Sequence, residues 1–158
     1  MIVNKSDLIF NINTIVCLPK IYEDMASTYE YNFKYVYIFE NTIEGTEEFI
    51  NFVNRNNIQE IVLVDYRLEY ETIIDNLRDK IAFNLLFTID LASLSVDSFL
   101  YFHDSVIKLY KKNKINKLGI LDKNLYEITK PQFENTFYIK LDEPILYKKS
   151  NEEKEGIG

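Results

Sequence analysis

Six short apolar runs punctuate the chain, and between them the apolar residues fall at helical spacing. The runs read TIVCLP (14–19), KYVYIF stopping before Glu40, EIVLVD ending at Asp65, FNLLFTID ending at Asp90, KLGILD ending at Asp122, and TFYIKLDE (136–143). Runs of this length, rich in Val, Ile, Phe and Tyr, have the form of strands buried on both faces. Separated by helical stretches, they predict βαβ units around a buried parallel sheet. In open sheets of this kind ligands bind outside the carboxyl ends of the strands. That rule places Glu40, Asp65, Asp90 and Asp122 in one row at the expected site.

The intervening segments predict the helices. The first strand is expected within 12–18, closed by Pro19, and followed by a polar, tyrosine-rich connection (20–31) that is partly helical. Gly45 and Thr46 are expected to precede a helix with Glu47 and Glu48 in its first turn and Phe49, Phe52 and Val53 on its inner face. Tyr70, Ile73, Ile74 and Leu77 recur at i, i+3, i+4 and i+7, which predicts a helix over 69–79. Ser95 and Asp97 mark the start of a longer helix, 96–113, striped by Phe99, Phe102, Val106 and Tyr110. His103 falls on or beside that stripe as a core-edge residue with one hydrogen bond, while Asp104 points away from it. A short helix after Asp122 is expected to turn Leu125 and Ile128 inward, with Pro131 beyond its end. In the last run Phe137, Ile139 and Leu141 alternate with Tyr138 and Lys140, the pattern of a partly exposed edge strand. Together these elements predict a three-layer, Rossmann-like α/β domain with a mainly parallel sheet of about six strands.

Composition narrows the function. The 158 residues are 47% hydrophobic and 27% charged, the balance of one globular domain. Residues 1–147 are expected to form that domain. KKSNEEKEGIG, from Lys148 on, lacks apolar periodicity and reads as a polar tail or interdomain linker (148–158). No apolar run approaches the roughly 20 residues that span a bilayer, and MIVNKSDLIF lacks the parts of a secretory signal. A cytoplasmic location is expected. The net charge of −7 and pI near 4.8 argue against nucleic-acid binding, which rests on clustered Lys and Arg. The one basic cluster, Lys108, Lys111, Lys112 and Lys114, falls at a helix end, where it complements the helix dipole. The single cysteine, Cys17, lies inside an apolar run and reads as a small core residue.

Only four glycines occur, and none forms GxGxxG or GxxxxGK[ST] after a strand, so no phosphate-cradling loop is present. There is no GxSxG elbow, and the one histidine has no Ser or Cys partner in sequence to build a triad. Three acids on separate strand ends fit turn or helix caps better than metal ligands, and no metal site is expected.

VLVDYRL, with Asp65 at its fourth position, resembles the strand that carries the phosphorylated Asp of two-component receiver domains. Thr88, and Lys130 within ITKP, extend the likeness. A receiver also carries an acidic pair after its first strand to hold Mg²⁺, and this first strand ends in CLPK. The resemblance therefore implies a degenerate receiver-like domain without support for phosphoryl transfer.

A second resemblance spans about residues 60–145. FNLLFTIDLASLS, the helix ending in KKNKINKLGILDKNLYEITK, and NTFYIKLDE are similar to the later half of the N-terminal Rossmann-like domain of GT-B-type glycosyltransferases. In FTIDL, Asp90 stands where that family carries the Asp of a frequent His-Asp pair, and Ile89 stands in the place of the His. The resemblance implies an acceptor-side domain that transfers a sugar once joined to a C-terminal domain holding the nucleotide-sugar donor, with no cofactor inside this chain. The missing phosphate loop and the position of the tail fit that division. It implies Asp90 as the catalytic residue and Asp65, Arg67, Thr88 and Asp122 as acceptor-binding residues. The implied partners are a carbohydrate or glycosylated acceptor and the donor domain. The isolated chain is then expected to be inactive, because transfer needs donor and acceptor held together. The alternative is a non-enzymatic Rossmann-like protein-interaction domain whose strand-end acids are caps. The first reading expects an open cleft at the strand ends, and the second a filled face.

Overall fold

The structure is a computed structural model that describes residues 14–33, 35–77 and 79–141; the expected tail at 148–158 lies outside them. Six strands form a single, fully parallel sheet: β1 (Thr14–Pro19), β2 (Tyr35–Phe39), β3 (Glu60–Val64), β4 (Ala82–Phe87), β5 (Lys117–Ile120) and β6 (Thr136–Tyr138). Their order is β2-β1-β3-β4-β5-β6. Each coincides with one of the six apolar runs. The helices are α1 (Ala26–Asn32), α2 (Ile43–Arg55), α3 (Glu69–Leu77), α4 (Val96–Lys111) and α5 (Lys123–Thr129), with 3-10 turns at Lys20–Met25 and Leu91–Ser93.

The layers follow from the handedness of the crossovers. The chain steps from β1 to β2 in one direction along the sheet and makes every later step in the other. Right-handed crossings therefore put α1 on one face and α2 to α5 on the opposite one. Alternate residues of the central strands feed the two sides. Val16, Leu18, Val62 and Val64 pack with Tyr29 of α1 and with Phe33. Ile15, Cys17, Ile61, Leu63 and Leu85 pack with Phe49, Ile73, Phe102 and Leu125 of the other four helices. Each fully buried side chain of this size contributes about 1.5–3 kcal/mol of transfer free energy. The result is a three-layer, Rossmann-like α/β domain. Cys17 is fully buried within it, and that burial pushes its thiol well up from the ordinary value.

Several boundaries differ from expectation. The helix after β2 begins at Ile43, not after Gly45 and Thr46, because the Thr42 hydroxyl accepts the Gly45 amide at 2.9 Å and caps it there. A Cβ on Gly45 would collide with the Glu40 carbonyl, so glycine lets the first turn press against the end of β2. In α5 the inward positions are Leu125 and Thr129; Ile128, expected inside, is 42% exposed. Lys130, just past α5, donates to the carbonyls of Glu134 and Thr136 at 2.7 and 3.1 Å and steadies the entry to β6. The basic cluster ends α4 as expected, and Lys114 pairs with Asp75 of α3 at 2.6 Å. Among the described residues no helix is long and apolar enough to cross a membrane.

Candidate functional site

The chain leaves β1 toward one face of the sheet and leaves β3 toward the other, so the two exits part at the carboxyl edge. That parting is the topological switch point where doubly wound sheets hold ligands. A cleft of about 450 Å³ opens beside it, walled by Tyr22 from the β1 exit, Asp65 to Arg67 from the β3 exit, Phe87 at the end of β4 and Ile89 past it, and Ser98, Tyr101 and Phe102 of α4. A hollow of about 610 Å³ lies between α2 and α3, walled by helix-surface side chains such as Thr46, Asn51 and Asn76. The smaller cleft is the better candidate, because the switch point and a buried charged group converge there.

Asp65 is that group. It is 5% exposed, and its φ of +57° turns the chain sharply out of β3. Among the described residues the other non-glycine residues with positive φ, Asn57 and Asn113, sit just past the ends of α2 and α4, the ordinary place for a left-handed helix stop. Asp65 terminates no helix, and a left-handed residue in that setting marks a position over-determined by its surroundings. Its backbone amide donates to Leu86 O at 2.7 Å. The Thr88 amide reaches Oδ1 at 2.7 Å and the Thr88 hydroxyl reaches Oδ2 at 2.8 Å. The Tyr22 hydroxyl faces the same carboxylate and favours its charged form. Behind it the buried Tyr70 hydroxyl holds the Val64 carbonyl at 2.7 Å.

Two opposed effects set the ionisation of Asp65. Burial pushes its carboxyl up, while the Thr88 donors, the Tyr22 hydroxyl and the Arg67 guanidinium push it down; the net shift is upward. Burial, with the Asp65 charge next, raises Tyr22 to about 12, which keeps its hydroxyl protonated as a donor. Arg67 is in turn accepted by Asn41 Oδ1 at 2.9 Å, in the amide orientation that also lets Asn41 donate to Glu69. On the far wall the Tyr66 hydroxyl donates to Glu71 at 2.8 Å, and its ring meets Tyr101 edge-on, centroids 5.8 Å apart. Tyr101 is 59% exposed. The cleft thus offers a phenol, a guanidinium, Ser98 and Asp97 around an accessible aromatic ring. Such a site suits binding a polar, hydroxylated molecule, and no histidine or cysteine lines it.

Of the residues picked out by sequence, Asp65, Arg67 and Thr88 come together here. Asp90 and Asp122 do not. The paired part of β4 stops at Phe87, so Asp90, expected to end the strand, lies exposed three residues further on and does not line the cleft. Its side chain leaves the following 3-10 turn uncapped. The paired part of β5 stops at Ile120, and Asp122 Oδ2 accepts the Leu125 amide at 3.0 Å and the Leu91 amide at 3.1 Å. It is the cap of α5 and ties the loop after β4 to it. Glu40 pairs with Lys20 at 3.0 Å on the surface.

Tyr22, Tyr66, Ser98 and Tyr101 were not anticipated. Tyr22 comes from the connection without clear periodicity, and Tyr101 sits off the apolar stripe of α4, where an exposed aromatic was the available signal. His103 is half-buried at the core edge; its Nε2 lies 2.6 Å from Gln132 Oε1, and its ring stacks on Phe99 at 5.6 Å. Lys130 leads from α5 into the amino end of β6, the edge opposite Asp65, so the lysine of the receiver likeness is not at the site. Among the described residues no three His, Cys, Asp or Glu side chains are grouped to hold a metal ion. Comparison of the chain with protein-family models, curated proteins and solved structures returns no match.

Proposed function

We propose that this chain is the acceptor-side domain of a GT-B-type glycosyltransferase, acting in the cytoplasm, and that the cleft at the β1/β3 switch point receives a carbohydrate acceptor. The observation that carries the reading is the cleft itself, open at the strand ends, with Tyr22, Arg67 and Asp97 set around the exposed ring of Tyr101. A sugar presents hydroxyls around its edge and a patch of C–H groups on one face. An aromatic ring takes the patch, and a few fixed polar groups read the hydroxyls.

In this reading Tyr22 and Arg67 bind acceptor hydroxyls, and Asp65 is a positioning residue that holds Tyr22, because its own oxygens are already occupied by donors. Asp90, the base that the resemblance implies, is exposed outside this cleft, so it has no contact with an acceptor bound there. The nucleotide-sugar belongs to a second domain, since this chain has no glycine-rich loop to approach a phosphate. Transfer requires both halves in one closed cleft.

Titration of the ¹⁵N-labelled protein with a panel of neutral mono- and oligosaccharides tests the reading. The expected result is saturable shifts at the amides of Tyr22, Arg67, Ser98 and Tyr101, weakened about tenfold in Tyr101→Ala, the loss of about 1.4 kcal/mol. No shift at these positions up to about 10 mM sugar overturns it.

A further inference from the structure

The hollow between α2 and α3 and the cleft at the switch point are joined through one side chain. Asn41 lines the hollow. Its Oδ1 accepts from Arg67, which walls the cleft, at 2.9 Å, and its Nδ2 donates to Glu69, which walls the hollow, at 3.2 Å. The cavities of about 450 and 610 Å³ thus meet at a common wall, the Arg67–Asn41–Glu69 chain of hydrogen bonds, where β2 and β3 leave the sheet. Each has the volume of a small-molecule site.

The chemistry of the hollow is specific. Of the ten described residues that line it, six are Asn or Thr, two are Ile and two are Glu, with no Lys or Arg among them. Without a cation it does not suit a phosphate or another anion. Neutral amides and hydroxyls suit sugar hydroxyls, because they donate and accept at once. Some of these groups already serve the helices. Thr42 caps α2, Thr46 Oγ1 donates to the Thr42 carbonyl at 2.8 Å, and Asn76 Nδ2 donates to the Thr72 carbonyl at 2.7 Å. The Asn51 amide group of α2 and the Thr72 hydroxyl of α3 make no hydrogen bond to any described residue. Polar side chains on a helix are ordinarily just solvated, but these two line one concavity from different helices. Ile43, 78% exposed, and Ile50 add an apolar patch for the C–H face of a sugar ring.

We propose that the acceptor is an oligosaccharide, with one unit seated on Tyr101 in the cleft and the chain running over the Arg67–Asn41–Glu69 wall into the hollow, where Asn51 and Thr72 hydrogen-bond a further unit. This rests on the acceptor reading of the cleft and adds the substrate class. The hollow has no aromatic ring to stack on, so it holds little by itself. A unit tethered to one already in the cleft arrives at high effective concentration, and weak contacts there then add to affinity.

The test titrates the ¹⁵N-labelled full chain with glucose, N-acetylglucosamine, and malto-, cello- and chito-oligosaccharides of increasing length. The monosaccharides are expected to shift the cleft amides of Tyr22, Arg67, Ser98 and Tyr101 alone. In at least one series the longer chains are expected to shift Thr46, Thr72 and the side-chain amide of Asn51 as well, and to bind about tenfold tighter than their monosaccharide. The Asn51→Ala, Thr72→Ala double variant is expected to lose that gain and to bind monosaccharides as the parent does. Both positions are exposed on helices, where alanine is the best helix former, so folding is not at stake. Cleft shifts with no gain from chain length in any series, or an equal gain in the double variant, overturn the inference and leave the acceptor reading standing. Shifts in the hollow with a silent cleft overturn the continuous track. Absence of cleft shifts from every sugar overturns the acceptor reading, and this inference with it.

Discussion

Thr88 closes on Asp65 with both of its polar groups, its amide on Oδ1 at 2.7 Å and its hydroxyl on Oδ2 at 2.8 Å. The contact continues the joining of β3 to β4 by side chain, at the point where the positive φ of Asp65 takes its backbone out of the ladder. It also fixes the carboxylate that holds Tyr22 at the cleft wall.

Thr88→Val keeps the shape and removes the hydroxyl. A hydrogen bond to a charged group is worth about 1.5–3 kcal/mol, and the variant is expected to lose that much stability in urea unfolding, whereas Thr88→Ser stays within about 1 kcal/mol of the parent. Unchanged stability in Thr88→Val would show that the hydroxyl contributes nothing, and a loss confined to Thr88→Ser would assign the cost to the methyl group.

Asp65→Asn reads the raised carboxyl. A group that binds its proton more tightly folded than unfolded costs stability when it ionises, and the cost develops as pH rises from its unfolded value through its folded one. The asparagine variant has no such titration. Its stability relative to the parent is therefore expected to improve from about pH 3 to about pH 7 in paired denaturation curves. A relative stability that stays level or worsens with pH would show that the groups favouring the charged form outweigh burial.

Gly45→Ala normally stabilises a helix by about 0.5–1 kcal/mol. Here the added methyl meets the Glu40 backbone, which cannot swing aside as a side chain would. The expected sign is reversed, with a loss of about 1–3 kcal/mol in chemical denaturation. A gain in stability would mean that the α2 entry relaxes freely.

Asn84 is fully buried in β4; its Nδ2 donates to the Glu60 carboxylate and its Oδ1 accepts the Lys117 amide at 3.1 Å, linking three adjacent strands. Asn84→Leu removes both bonds and is expected to cost about 1–3 kcal/mol, seen as a fall in Tm of several degrees. An unchanged Tm would mean that the apolar side chain compensates fully.

What sequence could show depended on whether a position is governed by its own neighbours along the chain. The stripe Tyr70, Ile73, Ile74 and Leu77 reads directly because helical spacing alone decides which side turns inward, and all four are buried. The end of β4 does not read. Thr88 and Ile89 suit a strand as well as Phe87 does, but pairing stops where β3 and β5 stop, which is decided across the sheet. Gly45 reads as lying just before the helix until the close approach to Glu40 is seen, and α5 turns Thr129 inward in place of Ile128. At the candidate site Asp65 was visible as the acid closing an apolar run. Tyr22 was not, because only the opposite departures of β1 and β3 bring it to that carboxylate.

The left-handed backbone at position 65 also limits what can replace its side chain, whatever the cleft binds. Glycine, asparagine and aspartate enter that conformation at little cost, and β-branched or bulky residues do not. A saturation mutagenesis library selected only for folding would therefore already be depleted to a few residue types at this codon, and intolerance there would report the turn before it reported chemistry. The ranking within the tolerated set separates the two. Asparagine and glycine both keep the turn, so a defect that they share while aspartate escapes it belongs to the carboxylate.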